Sequence, residues 1–163
     1  MGVSGSGKTT AGKLLAERIG IPFFDADDYH SPVNIEKMKT GIPLTDADRK
    51  DWLQTMNQIA MQQQKEKGSV IACSALKQSY REGLQNNIAE PWWFFLNGSK
   101  ELILERMQKR KGHYMPPGLL QSQFDTLEPP ASAFTIPIDK DPDAIVRTII
   151  TCLNSKSETG PGA

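Results

Sequence analysis

Apolar residues recur at helical spacing between Lys8 and Ile19, at Ala11, Leu14, Leu15 and Ile19, and Gly20 stands where a helix stop belongs. The spacing predicts a first helix over 8–19. A short strand with Phe23 and Phe24 inside it is expected over 22–27, followed by Ser31 as a cap and Pro32 as the first residue of a short helix reaching Lys39, before Gly41. Thr45 and Asp48 have the spacing of a capping box, and Trp52, Leu53, Met56, Ile59 and Ala60 mark one face of a long helix ending near Gly68. Val70, Ile71 and Ala72, within 69–74, form the short apolar run of a strand buried on both faces. A helix from about Lys77 to Asn86, a second buried strand over 92–96 and a helix capped by Ser99 and running to about Arg110 follow. Phe134 to Ile138 is the last expected strand. The last helix runs from Asp143 to Leu153, with Ile145, Val146, Ile149, Ile150 and Leu153 as its buried stripe. The alternation predicts one three-layer α/β domain over 1–154, a parallel sheet with helices on both faces and ligands at the carboxyl ends of the strands. Residues 155–163 read as a disordered tail.

With 163 residues the chain is one ordinary domain. Its 19 Lys and Arg balance 19 Asp and Glu, which argues against a nucleic-acid or anionic-membrane binder that relies on bulk charge. Cys73 and Cys152 are far apart and lack metal-type spacing, so neither a disulfide framework nor a zinc site is readable and a reducing, cytoplasmic location is expected. The most apolar run, from Pro91 to Leu96, is far below the roughly 20 residues of a membrane span. Met1 is followed by glycine rather than by a basic and then apolar leader, so no signal peptide is expected.

Gly2-Val3-Ser4-Gly5-Ser6-Gly7-Lys8-Thr9 matches G-x-x-x-x-G-K-[ST] in full and opens directly into the first helix. Glycines let successive backbone N–H groups turn inward around phosphate oxygens, and the helix amino terminus adds positive potential. Lys8 would reach the outer phosphates, Thr9 could ligate Mg²⁺, and Thr10 closes the set of nucleotide-binding candidates. A phosphate loop of this kind should follow a buried strand, yet only Met1 precedes Gly2. The expectation is a groove in the core with neighbouring strand edges unpaired, as in a truncated gene model or isoform.

Asp25, Asp27, Asp28 and His30 follow the second expected element, and period-two geometry would place Asp25 and Asp27 on one side at the strand's carboxyl end. One carboxylate there could take the proton from an attacking hydroxyl while another holds Mg²⁺ or its water shell. The other reading is an acidic turn that caps the next helix. Asp139-Lys140-Asp141-Pro142 fails the [NT]-K-x-D pattern of guanine reading, which demotes GTPase switching. Arg106, Lys109, Arg110 and Lys111 stand ahead of Gly112-His113-Tyr114-Met115-Pro116-Pro117-Gly118. Glycines and prolines around cations suggest a lid over about 111–126 that brings arginine onto phosphate charge. A solvated helix end paired with its own dipole is the competing reading.

The segments Asp25-Ala26-Asp27-Asp28-Tyr29-His30, Asn34-Ile35-Glu36-Lys37-Met38, Gly41-Ile42-Pro43-Leu44-Thr45-Asp46, Asp48-Arg49, Cys73-Ser74-Ala75-Leu76-Lys77, Tyr80-Arg81, Lys111-Gly112-His113 and Gln123-Phe124-Asp125-Thr126-Leu127, with the phosphate loop, resemble the P-loop gluconokinases, which are related to shikimate kinase and the nucleoside monophosphate kinases. The resemblance spans nearly the whole chain. It implies a P-loop kinase fold with a five-stranded parallel sheet, usually a homodimer, and ATP-dependent phosphorylation of D-gluconate on its terminal hydroxyl. Carried over, Lys8 and Thr9 would serve phosphate and Mg²⁺, Asp27 would be the base and Asp25 would lie nearer the metal. Arg49, Lys77 and Arg81 are the cations expected for the acid end of a polyol carboxylate, with His30 and Ser74 for its hydroxyls. Arg106 and Arg110 are the expected phosphate clamps, and His113 a further substrate contact. Arg49 could equally belong to the capping region of its helix, and Arg81 could pair with an exposed acid. Another small-molecule kinase, such as one acting on shikimate, or a noncatalytic truncated isoform, are the alternatives.

Overall fold

The computed structural model describes residues 1–109 and 117–157. The elements run α1 (Lys8–Ile19), β1 (Phe23–Asp25), a 3-10 turn (Ala26–Tyr29), α2 (Pro32–Lys39), α3 (Asp46–Gln63), β2 (Val70–Ala72), α4 (Gln78–Gln85), β3 (Phe94–Asn97), α5 (Lys100–Lys109), α6 (Pro117–Thr126), β4 (Phe134–Pro137) and α7 (Pro142–Ser157). The order of helices and strands follows the hydrophobic pattern, and all observed pairing is parallel: Phe23 to Asp25 beside Val70 to Ala72, and Phe94 to Asn97 beside Phe134 to Pro137. The α/β P-loop kinase fold expected from the sequence is the fold observed.

Two of the boundary differences from expectation matter most. Asp25 ends β1, because its carboxylate accepts the Asp27 N–H at 3.2 Å and caps the 3-10 turn. The helix α7 continues past Leu153 to Ser157, so the expected tail is helical at its start and its remainder, 158–163, lies outside the described residues. Ser99 does cap α5, accepting the Leu102 N–H at 3.2 Å. Arg110, Lys111 and His113, and with them the first part of the expected lid, also lie outside the described residues; α6 is the helical remainder of that segment.

The five-stranded sheet implied by the family resemblance is replaced, among the described residues, by two separate strand pairs. Residues 1 and 2 bridge them. The Met1 amine donates to the Phe94 carbonyl at 2.6 Å, the Leu96 N–H donates to the Met1 carbonyl at 2.9 Å, and the Gly2 N–H donates to the Ser74 carbonyl at 3.2 Å. Alternating bonds to the two sides are what a strand running between β2 and β3 would make. Away from this bridge a groove of about 400 Å³ opens, lined by Met56, Ala72, Cys73, Trp93, Phe94 and Leu96 among others. On one side Val3, Leu15, Ile103, Leu120, Ile138 and Val146 form the larger core. On the other, Ala26, Trp52, Met56 and Phe95 form the smaller one.

Burial lowers the pKa of the Met1 amine from 8.0 to about 5, with the nearby Lys8 charge adding to the effect. The amine therefore binds a proton more readily in the unfolded chain than in the folded one between those values, and stability should rise with pH across this window. Urea melts are expected to show a gain of a few kcal/mol from pH 5 to pH 8; a flat profile would mean that the amine is solvated. Four or five apolar β-formers placed ahead of Met1 should fill the groove and remove the buried amine, raising Tm by roughly 5 °C or more. An unchanged Tm would show that the groove has closed by relaxation.

Candidate functional site

The phosphate loop has positive φ at Gly2 (141°), Gly5 (81°) and Gly7 (94°), conformations that side chains resist. Gly5 is also needed for space, since a Cβ there would sit 2.9 Å from the side chains of Ile103 and Met107. Gly7 is the N-cap of α1 and supplies no side-chain cap, so the first N–H groups of the helix remain available to an anion. Lys8 donates through Nζ to the Val3 carbonyl at 3.0 Å, folding its ammonium back across the loop. Ser6 is fully buried and its hydroxyl finds no partner among the described residues.

Beside the loop lies a second cavity of about 350 Å³ between Gly5–Gly7, Thr10, Arg106, Lys109 and the turn from Lys140 to Pro142. Arg106 donates to the Ile138 carbonyl at the end of β4, which brings α5 against that turn. Lys109, Lys140, Asp141 and Pro142 were not singled out from the sequence as binding residues. No motif marks them: they meet the loop because β4 ends beside it and leads into α7.

On the opposite side, Thr9 Oγ1 donates to Asp25 Oδ2 at 2.6 Å, joining the phosphate loop to the end of β1. Asp27 is exposed on the 3-10 turn, so the expected period-two relation between the two carboxylates does not hold; the capped turn replaces it. His30 stacks on Trp52, with ring centroids 4.4 Å apart, and Trp52 Nε1 donates to the Ala26 carbonyl at 2.6 Å. These contacts tie the turn to α3. Burial pushes the His30 imidazole below its ordinary pKa, Asp27 acts against that and the Arg49 charge reinforces it. Its protonation therefore opposes folding below pH 6.5, in the same direction as the Met1 amine.

The start of α3 gathers the cations. Thr45 and Asp48 form the expected capping box, and Lys37 holds Asp48 at 2.7 Å while Asn34 Nδ2 donates to the Asp48 carbonyl at 2.7 Å. Bonds from Lys37 and Thr45 hold the Asp48 carboxyl down to about 2. Arg49 lies 5.6 Å from the Tyr80 ring and donates to the Leu44 and Thr45 carbonyls, and Lys77 lies 5.5 Å from the same ring. Lys77 also reaches both oxygens of Asp46, at 2.8 and 2.9 Å, and the Tyr80 hydroxyl donates to Asp46 as well. Those bonds lower the Asp46 pKa and raise that of Lys77. Arg49 and Lys77 are thus brought together as expected, with Asp46 and Tyr80 added.

Arg81 is placed differently. It is only 4% exposed, and its guanidinium donates to the Ala75 and Leu76 carbonyls at 3.0 and 3.1 Å and to Gln78 Oε1 at 2.9 Å. It holds the loop that carries Ser74 and Lys77, where Ala75 has a positive φ of 46°, rather than reaching outward or pairing with an exposed acid.

A phosphate loop tied through Thr9 to a carboxylate at the end of β1 is the layout of a small-molecule kinase. Residues 4–128 match the family model described as shikimate kinase. A probable gluconokinase of Xenopus tropicalis is 44% identical, with 91% of this chain and 88% of that protein covered. The chain belongs to the gluconokinase family. A gluconokinase of Gluconobacter oxydans is 43% identical over 92% of this chain and 86% of its own length. The crystal structure of a gluconokinase from Sinorhizobium meliloti superposes with a TM-score of 0.89 at 40% identity, covering 98% of this chain and 91% of that one. The gluconokinase resemblance therefore extends from the motifs to the fold. No described helix is long and apolar enough to cross a membrane.

Proposed function

We propose that the chain transfers the terminal phosphoryl group of ATP to the terminal hydroxyl of D-gluconate, giving 6-phospho-D-gluconate. The reading is supported by two cations at one aromatic ring, Arg49 at 5.6 Å and Lys77 at 5.5 Å from Tyr80, in a chain whose phosphate loop is joined to β1 through Thr9 and Asp25. Two cations on an aromatic face suit a small carboxylate whose remaining atoms need hydrogen bonds. Ser74 and His30 are the nearby groups for hydroxyls, with Arg81 setting the loop from behind.

In this reading Gly2 to Thr10 cradle the phosphates, Lys8 swings from the Val3 carbonyl to the outer phosphates, and the cavity bounded by Arg106, Lys109 and Lys140–Pro142 takes the nucleoside. Arg110 and His113 are kept as phosphate clamp and substrate contact on the strength of the sequence. Asp27 accepts the proton of the attacking hydroxyl. Thr9 and Asp25, an all-oxygen pair, have the hard donors that Mg²⁺ requires, and one or two such protein ligands suffice when phosphates and water complete the shell. The ion, when bound, neutralises phosphate charge. A homodimer in a reducing cytoplasm, with both cysteines free, completes the proposal.

The acceptor is tested with a panel of D-gluconate, its uncharged polyol counterpart glucitol, and shikimate. Turnover with gluconate should exceed that with glucitol by about tenfold or more in kcat/KM, as expected when a charge-assisted contact is lost. Equal turnover of glucitol would remove Arg49 and Lys77 as carboxylate readers, and preference for shikimate would overturn the substrate.

A further inference from the structure

Gln123, on α6, is separated from Ser4 by 119 positions, yet its amide meets that residue twice. The Ser4 N–H donates to Oε1 at 2.7 Å, and Nε2 donates to Ser4 Oγ at 3.1 Å. A backbone N–H can only donate, so the amide oxygen must face it and the amide nitrogen must face the hydroxyl. The hydroxyl accepts from Gln123.

The helix that carries Gln123 is itself well held. Leu120 is fully buried in the larger core. Just beyond the helix, the Glu128 N–H donates to the Leu76 carbonyl at 2.9 Å and the Glu128 carboxylate accepts the Gln78 N–H at 2.5 Å. One segment, 120–128, therefore grips the phosphate loop at Ser4 and the acceptor-side loop at Leu76 and Gln78. The phosphate loop needs such an anchor. Three positive-φ glycines between residues 2 and 7 leave its backbone with unusual freedom, and Ser4 stands between the first two of them.

We infer that Gln123 is a positioning residue for the phosphate loop. By fixing both the main chain and the hydroxyl of Ser4 to a packed helix, it sets the conformation in which residues 5–9 present their N–H groups to nucleotide phosphates. The inference rests on the nucleotide-binding reading of the loop. It requires no contact between Gln123 and the nucleotide.

Gln123→Met keeps the length and volume of the side chain and removes both hydrogen bonds. In the full chain, exchange of the Ser4 amide, followed by NMR, should accelerate at least about tenfold, and the Kd for ADP in magnesium buffer should rise roughly tenfold. KM for gluconate should stay within about twofold and Tm within about 3 °C. Ser4→Ala, which removes only the hydroxyl bond, should weaken ADP binding less, and combining it with Gln123→Met should add nothing further, since both act through one contact. Unchanged ADP affinity beside a wild type that binds ADP normally would overturn the role of Gln123 alone. So would parallel losses in ADP affinity, gluconate KM and Tm, which mark a general folding defect. A wild type that binds no ADP would overturn the nucleotide reading, and the positioning role with it.

Discussion

Replacing Asp27 with asparagine is expected to lower kcat about 10²–10⁴-fold, the range that a positioned general base contributes. The variant keeps the size of the side chain and the backbone bond from Asp27 N–H to Asp25 that caps the 3-10 turn, so the fold should survive. What it loses is a proton acceptor on an exposed turn at the carboxyl end of β1. If Asp27 takes the proton of the gluconate hydroxyl, KM for both substrates should change little while kcat falls. Stopped assays on both proteins, with circular dichroism as a fold control, decide the matter. Near-normal turnover in the variant would remove Asp27 as the base and move attention to Asp25, whose other oxygen is engaged by Thr9.

The second large effect is expected at Lys8. Its ammonium rests on the Val3 carbonyl and must exchange that neutral partner for phosphate oxygens when nucleotide binds. Lys8→Ala removes a cation from a position where negative charge grows during transfer, and by analogy with other preorganised donors should cost about 10²–10³-fold in kcat. It should also weaken ATP binding. Stability should fall only slightly, by about 1 kcal/mol for the lost bond to the Val3 carbonyl. Steady-state kinetics with varied ATP, next to a thermal melt, separate the two effects; a melt that collapses would show that Lys8 braces the loop rather than serving the reaction.

Much of this site is legible from the chain because its parts are local. The phosphate loop is eight consecutive residues, the capping box at Thr45 and Asp48 spans a single helical turn, and the carboxylates follow β1 directly. Hydrophobic periodicity places the helices other than α6 for the same reason; α6 falls in the stretch read as a lid. Contacts that depend on how distant segments meet were not legible. Gln123 reaches Ser4 across 119 positions of chain, and Lys140 to Pro142 join the cavity beside the phosphate loop only because β4 ends there. Arg81 shows the opposite error: as an arginine among motif residues it reads as a substrate cation, but packing buries it under the loop whose carbonyls it satisfies.

The central claim is phosphoryl transfer to gluconate, and its most direct test is ADP formation from ATP and Mg²⁺ by the purified chain, with D-gluconate, with shikimate and with no acceptor, on a sample whose folding is checked by circular dichroism. ADP release that depends on gluconate, with one 6-phosphogluconate formed per ADP, is the predicted result. A well-folded sample that releases no more ADP with gluconate than without it would contradict the account.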